Sequence, residues 1–213
     1  LLLTQLLSYQ RYLLRRGIEQ RELISEANRA KEGLQSAISH SFSTTQTLAY
    51  IIENYGVPDH FDSVAQQLLS ANQYVDVIEL VEGGVITHVY PLKGNESVIG
   101  FNILTDSARK SGAILTILKK DFFISGPLHL KQGGEGFVCR VPIYINNHFW
   151  GFSATVIKMK TLLTAAGIDT GANRRYSYEL KKVNHQTGKE EYFLQYKKSL
   201  KQRLNVPVQI PNG

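Results

Sequence analysis

Cysteine is nearly absent: Cys139 is the one thiol in 213 residues. A disulfide scaffold and a Cys-rich zinc site are therefore excluded, while the compartment stays open. Proline is sparse, and none precedes Pro58, so no proline breaks a helix in the first quarter of the chain. No apolar run approaches the ~20 residues that a membrane-spanning helix needs. His40, His60, His88, His129, His148 and His185 contain no i, i+4 pair, so a zinc-protease helix is missing. There is no Gly-x-Ser-x-Gly elbow. Lys131-Gln132-Gly133-Gly134-Glu135-Gly136 is glycine-rich but lacks the Lys-Ser/Thr of a phosphate loop and precedes a strand pattern. With these signatures missing, the chain reads as non-enzymatic, with no cofactor and no metal.

What is present is an ordinary globular composition, 43% apolar and 20% charged. The formal charge of +6 is unevenly placed. Residues 158–213 hold eleven Lys/Arg against four Asp/Glu, whereas 41–157 hold seven against ten. Tyr176, Tyr178, Tyr192, Phe193 and Tyr196 interleave with the basic residues at strand-like spacing, which suits a hairpin core better than a base-stacking platform. A solvated or membrane-proximal basic face is the expectation, and nucleic acid is not an expected partner. The chain begins at Leu1 rather than Met and is expected to be a piece of a longer protein. Leu1-Leu2-Leu3-Thr4-Gln5-Leu6-Leu7, followed by Tyr9, Arg11, Arg15 and Arg16, has two open readings: the start of an amphipathic helix, or the severed end of a membrane helix with its interfacial flank.

Residues 1–54 are dominated by Leu, Ala, Glu, Gln and Arg, which predicts one long helix. A heptad seam runs through Leu6, Tyr9, Leu13, Leu23, Ala27, Ala30, Leu34 and Ala37, with polar breaks at Arg16 and Gln20. Packing on its own domain and a dimer stalk both fit this seam. The Ser/Thr run 41–47 is expected to bend or break the helix. After the stop at Gly56-Val57-Pro58, a short helix is expected near 60–71. The period then becomes 2: residues 74–81 alternate, turn at Glu82-Gly83-Gly84 and return through 85–90, a hairpin. A helix near 106–118 follows, then strands at 122–125, 136–145 and 149–157, with Asn146-Asn147 as a tight turn. A helix near 158–166 and a second hairpin, 176–183 with 191–196, complete the chain. This order predicts an α+β fold: a long N-terminal helix, a PAS-like antiparallel sheet, and a second, smaller PAS-like sheet. The expected units are a stalk helix at 1–55, a membrane-distal ligand-binding subdomain at 56–157 and an incomplete membrane-proximal sheet at 158–213.

Three strand residues call for comment. Arg140 interrupts an apolar strand and shares a face with Val138 and Pro142. An Arg there needs a carboxylate, solvent or an anionic ligand, and all three readings stay open. Cys139 reads as an inert structural thiol, although Arg140 beside it could lower its pKa. Gly151, after Trp150, is expected where a backbone approaches closely or a bulge forms.

The stretch Val89-Tyr90-Pro91-Leu92-Lys93-Gly94-Asn95-Glu96-Ser97-Val98-Ile99-Gly100-Phe101-Asn102-Ile103-Leu104 resembles the first signature of the CHASE domain. Ile124-Ser125-Gly126-Pro127, Gln132-Gly133-Gly134, Gly136-Phe137 through Pro142-Ile143-Tyr144, and Phe149-Trp150-Gly151 follow in the family's order and spacing. The resemblance implies an extracytoplasmic small-molecule-sensing domain of a membrane-bound receptor of the histidine kinase or nucleotide cyclase type. It also implies a membrane-anchored homodimer through the N-terminal helix, with its sensing part outside the cytoplasm. A single Cys and a single Asn95-Glu96-Ser97 sequon are sparse for a eukaryotic ectodomain, so the periplasmic part of an inner-membrane protein is expected. A structural dimerisation module with a degenerate pocket is the alternative. By the resemblance, Ser125 occupies the position of the hydroxyl that contacts ligand in plant cytokinin receptors. Lys93 stands near the carboxylate that reads the adenine ring there, which argues for an acidic ligand group. Arg140 is expected to add a charge-assisted bond, Tyr90 and Phe137 apolar walls, and Asn102 a polar contact. Family members usually continue with further strands past a segment like Val206–Gly213, so the smaller sheet is expected to be incomplete.

Overall fold

The computed structural model describes residues 2–168, 171, 176–184, 187–195 and 204–209. Helix α1 (Leu2–Tyr55) is continuous over 54 residues. Among its buried side chains, Ala30, Leu34, Ala37, Ser41, Thr45, Leu48 and Ile52 recur every three or four positions and lay one stripe on the sheet, which Thr44 and Ala49 widen. No described side chain before Ala30 is buried, and Leu6, Tyr9 and Leu13 are about half exposed. The heptad seam therefore serves two surfaces: its C-terminal half packs within the chain and its N-terminal half is free. The expected break at 41–47 does not occur. Thr45 Oγ1 donates to the Ser41 carbonyl at 2.6 Å and Thr47 Oγ1 to that of Ser43 at 2.8 Å, so these hydroxyls bond inside the helix instead of competing with it.

Helix α2 (Phe61–Ser70) leads to a five-stranded sheet of β1 (Val77–Glu82), β2 (Val85–Tyr90), β3 (Phe123–His129), β4 (Glu135–Ile145) and β5 (His148–Lys158). Its order is β2-β1-β5-β4-β3, every pair antiparallel. Asn146 and Asn147 turn β4 into β5 with φ of 51° and 63°, as their sequence predicts. At Gly151 a Cβ would lie 2.0 Å from the Val81 carbonyl oxygen, so glycine is required for β5 to pair with β1. Helix α3 (Lys110–Lys119) starts later than expected, because Asp106 first opens a turn, accepting the N–H groups of Ala108 on its carboxylate and Lys110 on its carbonyl. Helix α4 (Met159–Ala165) follows β5.

Alternation gives the sheet two faces. The inner face carries Ile78, Leu80, Cys139, Ile143 and Ile157 toward α1 and α4. A hydroxyl cluster is buried in it: Ser41 Oγ lies 2.6 Å and Thr45 Oγ1 3.0 Å from Thr155 Oγ1. The outer face carries Val77, Val81, Val138, Phe152, Ala154 and Val156, covered by the segment 91–109 and by α3. Each large apolar side chain so buried contributes about 1.5–3 kcal/mol.

The small sheet pairs β6 (Leu180–Val183) with β7 (Glu190–Leu194), both shorter than expected; Tyr196 lies outside the described residues. It docks on the main body. Lys182 Nζ donates to the Gly126 carbonyl at 2.5 Å, Phe193 meets Phe137 edge-on, and Tyr178 donates to the Glu26 carboxylate. In the basic tail, Lys181 and Lys182 pair with Glu190 and Glu191. Arg174, Arg175, Lys197, Lys198, Lys201 and Arg203 lie outside the described residues.

Candidate ligand-binding site

Two charged residues rise from the outer face of the sheet. Arg140 is 2% exposed and Glu79 is 6% exposed. Both lie opposite Ala154 in the register of β1, β5 and β4, so they share one transverse row. One intervening strand sets their Cα atoms about 10 Å apart, and the small Ala154 side chain between them leaves room. Glu79, Arg140, Arg109, Lys131, Gln132 and Phe101, with aliphatic groups of Ile86, Val98, Ile103 and Val156, line a cavity of about 20 Å³. That volume holds about one water molecule.

The polar groups here are under-satisfied. Of the five N–H donors of Arg140, one finds an acceptor among the described residues, Nη1 donating to Ser125 Oγ at 3.1 Å. The Glu79 carboxylate makes no hydrogen bond or ion pair among the described residues. The side-chain nitrogen of Gln132 is buried without a partner among the described residues. Burial pushes the Glu79 carboxyl up to about 7, against the pull of Arg140 and Arg109. Burial also pushes the Arg140 guanidinium down to about 10, against the attraction of Glu79. Both groups shift toward neutrality: desolvation outweighs their mutual attraction, as expected of charges that face each other without touching.

The cover is held by a small set of contacts. Arg109 bonds Asp106 Oδ1 at 3.0 Å and the His129 carbonyl at 2.8 Å. The Phe101 ring has the Arg109 guanidinium 5.2 Å from its centroid and Lys131 Nζ 4.6 Å from it. Ser97 Oγ donates to the Lys131 carbonyl at 3.3 Å. These tie the segment 91–109 to the turn between β3 and β4, so the glycine-rich loop is part of the lid rather than a phosphate cradle.

Of the residues singled out in the sequence, Arg140 lines the cavity and Ser125 holds it. The solvent-exposed reading of Arg140 is corrected by its burial, and among the described residues it forms no contact ion pair. Phe137 and Tyr90, expected as walls, do not line the cavity. Phe137 alternates with Val138 and Arg140 and so packs on the opposite face, among the α1 and α4 contacts. Tyr90 packs with the cluster of Ile78, Leu80 and Phe61. Lys93 is exposed on the covering loop and does not line the cavity. Asn102 has a structural part: its backbone bridges Val85 and its Oδ1 accepts the Leu104 N–H at 2.9 Å. Cys139 is fully buried, and burial holds its thiol up at about 11, so Arg140 does not activate it. Glu79, Arg109 and Gln132 were not singled out. The signal for Glu79 was available: Val77 and Val81 at i±2 put an acid in an apolar row, as Val138 and Pro142 do for Arg140.

Among the described residues no group of acidic, His and Cys side chains is arranged to hold a metal, and no helix is long and apolar enough to cross a membrane. The family model described as the CHASE domain matches residues 25–193. No curated protein matches. Several solved structures share the fold at low identity. The ligand-binding domain of the Pseudomonas fluorescens chemoreceptor CtaA, in complex with L-serine, is 13% identical with a TM-score of 0.60, covering 85% of this chain and 74% of that one. The sensor domain of the V. cholerae histidine kinase DctB is 13% identical with a TM-score of 0.54, covering 81% and 66%. An extracellular ligand binding receptor of Desulfohalobium retbaense is 19% identical with a TM-score of 0.56, covering 66% of this chain and 25% of that one. The chain thus spans a quarter of that receptor's length.

Proposed function

The chain belongs to the CHASE domain family, an extracytoplasmic ligand-sensing receptor domain, and on that premise we propose that its ligand binds on the outer face of the sheet, between Glu79 and Arg140 and under the segment 91–109. One observation carries this reading: a buried carboxylate and a buried guanidinium face one cavity, and neither satisfies the other. An isolated buried ionic group is costly, and a polar ligand that reached both would relieve the cost. The receptor is read as a periplasmic sensor anchored in the inner membrane, non-catalytic in this domain, feeding a histidine kinase or cyclase output. The exposed seam residues Leu6, Tyr9 and Leu13 favour pairing of two copies through α1. Ligand binding would then bias that pair between arrangements.

The test is a thermal-shift screen against purines, amino acids, short peptides and carboxylic acids. Amino acids enter because the CtaA domain, of the same fold, was solved with L-serine. A ligand at 100 times its dissociation constant stabilises by about 2.7 kcal/mol, or roughly 5–11 °C for a chain of this size. The shift is expected in the wild type and lost in Arg140→Leu; a shift unchanged in that variant would move the site elsewhere. The cavity of about 20 Å³ favours a second reading, a closed module that binds nothing and serves pairing alone. On that reading the whole screen is flat, and replacing Glu79 and Arg140 together by apolar residues raises stability.

A further inference from the structure

Resting on the sensing reading above, we propose that the occupant of this site is a compact zwitterion with an aliphatic body, its ammonium taken by Glu79 and its carboxylate by Arg140.

Charge balance decides between the classes of ligand. Arg109 is already committed to Asp106 and to the His129 carbonyl, so it adds little to the unmet charge. What is left is one carboxylate without a donor and one guanidinium with a single hydroxyl acceptor. A plain anion would satisfy Arg140 but would bring a like charge toward Glu79. A plain amine would reverse the problem. A neutral heterocycle could hydrogen-bond to each but would leave both charges desolvated without a counter-charge. A molecule carrying both signs satisfies both at once, and its own charges are paired in return. The buried side-chain nitrogen of Gln132 adds a donor in the same cavity. The one further charge in the lining is Lys131, an exposed residue at the rim whose ammonium lies over the Phe101 ring, and the rest, Ile86, Val98, Ile103 and Val156 among it, offers apolar contact. Sites of this kind join a few placed polar groups to an apolar wall. Since the free volume is about one water, entry displaces the segment 91–109, which the Ser97–Lys131 bond and the Phe101 cation contacts hold down.

The experiment uses the whole 213-residue chain and a matched set of probes: L-valine and L-leucine, the amines isobutylamine and isopentylamine, the acids isobutyrate and isovalerate, and adenine. Binding is read by calorimetric titration. The expected result is binding of at least one amino acid, with the amine and acid of the same skeleton weaker by tenfold or more, and a loss of tenfold or more in Glu79→Gln, whose fold is checked by circular dichroism. Matched analogues on the wild type need no variant and stand if the variant misfolds. If the acid alone binds as tightly as the amino acid, Glu79 is not engaged and the zwitterion is overturned while the sensing site survives. If adenine binds and the amino acids do not, the zwitterion is likewise overturned. If no probe binds and the wider screen is also flat, the sensing reading falls with it.

Discussion

The Glu79 carboxyl makes the stability of this domain depend on pH in a direction that can be worked out. Unfolded, it titrates at its ordinary 4.5; folded, burial raises it to about 7. The folded chain therefore holds the proton more tightly than the unfolded chain between these values. Stability is full below pH 4.5, falls as pH rises through the window and stays reduced above pH 7. A displacement of that size corresponds to about 3 kcal/mol, at about 1.4 kcal/mol per pH unit. Arg140, held at about 10, stays charged across the window and adds no slope of its own. Glu79→Gln keeps the shape and removes the titration. Urea unfolding of both proteins across the window, followed by circular dichroism, isolates the effect. Relative to wild type, the Gln protein is expected to gain up to about 3 kcal/mol from the acid end to the neutral end, roughly 6–12 °C in Tm. Parallel curves would refute the reasoning, since Glu79 would then ionise as it does in water.

Three further outcomes follow from the packing. Gly151→Ala sets a Cβ 2.0 Å from the Val81 carbonyl oxygen and is expected to lower stability by about 3 kcal/mol or more; an unchanged urea midpoint would contradict the close approach of β5 to β1. Ser41→Ala and Thr155→Val each leave a buried hydroxyl short of a partner and are expected to cost about 1–3 kcal/mol singly. The double variant should cost less than their sum, and additivity in a double-mutant cycle would show that the two do not interact. Cys139, buried with its thiol held up at about 11, should resist alkylation by iodoacetamide at neutral pH until denaturant is added, whereas rapid native labelling would mean that the inner face opens readily.

How far the sequence disclosed the molecule depended on whether each signal was local. The hairpin at 77–90, the Asn146-Asn147 turn and the close approach at Gly151 were legible because turn chemistry and period 2 are written in adjacent residues. The long helix was legible from composition. Which half of its heptad seam packs at home was not, because that depends on where the sheet ends. The Ser/Thr run 41–47 misled for a related reason: Ser41 and Thr45 meet Thr155, more than a hundred residues away, and the sequence does not announce that partner. At the site, Arg140 stood out as a cation in an apolar strand. Glu79 carried the same pattern on β1 but reads as the polar member of an alternating strand. Only the covering segment 91–109 turns its face inward. Phe137 and Tyr90 lie on the sheet face opposite Glu79 and Arg140, because one-residue alternation decides which face a strand side chain takes.

The most direct test of the central claim is amide hydrogen exchange of the domain with and without its strongest binding ligand. Exchange reports local opening segment by segment. Slower exchange is expected in residues 97–109 and in the turn at 130–134, the two parts that close over Glu79 and Arg140. Unchanged exchange there, with protection appearing instead in the first half of α1 or in the β6–β7 sheet, would contradict the site.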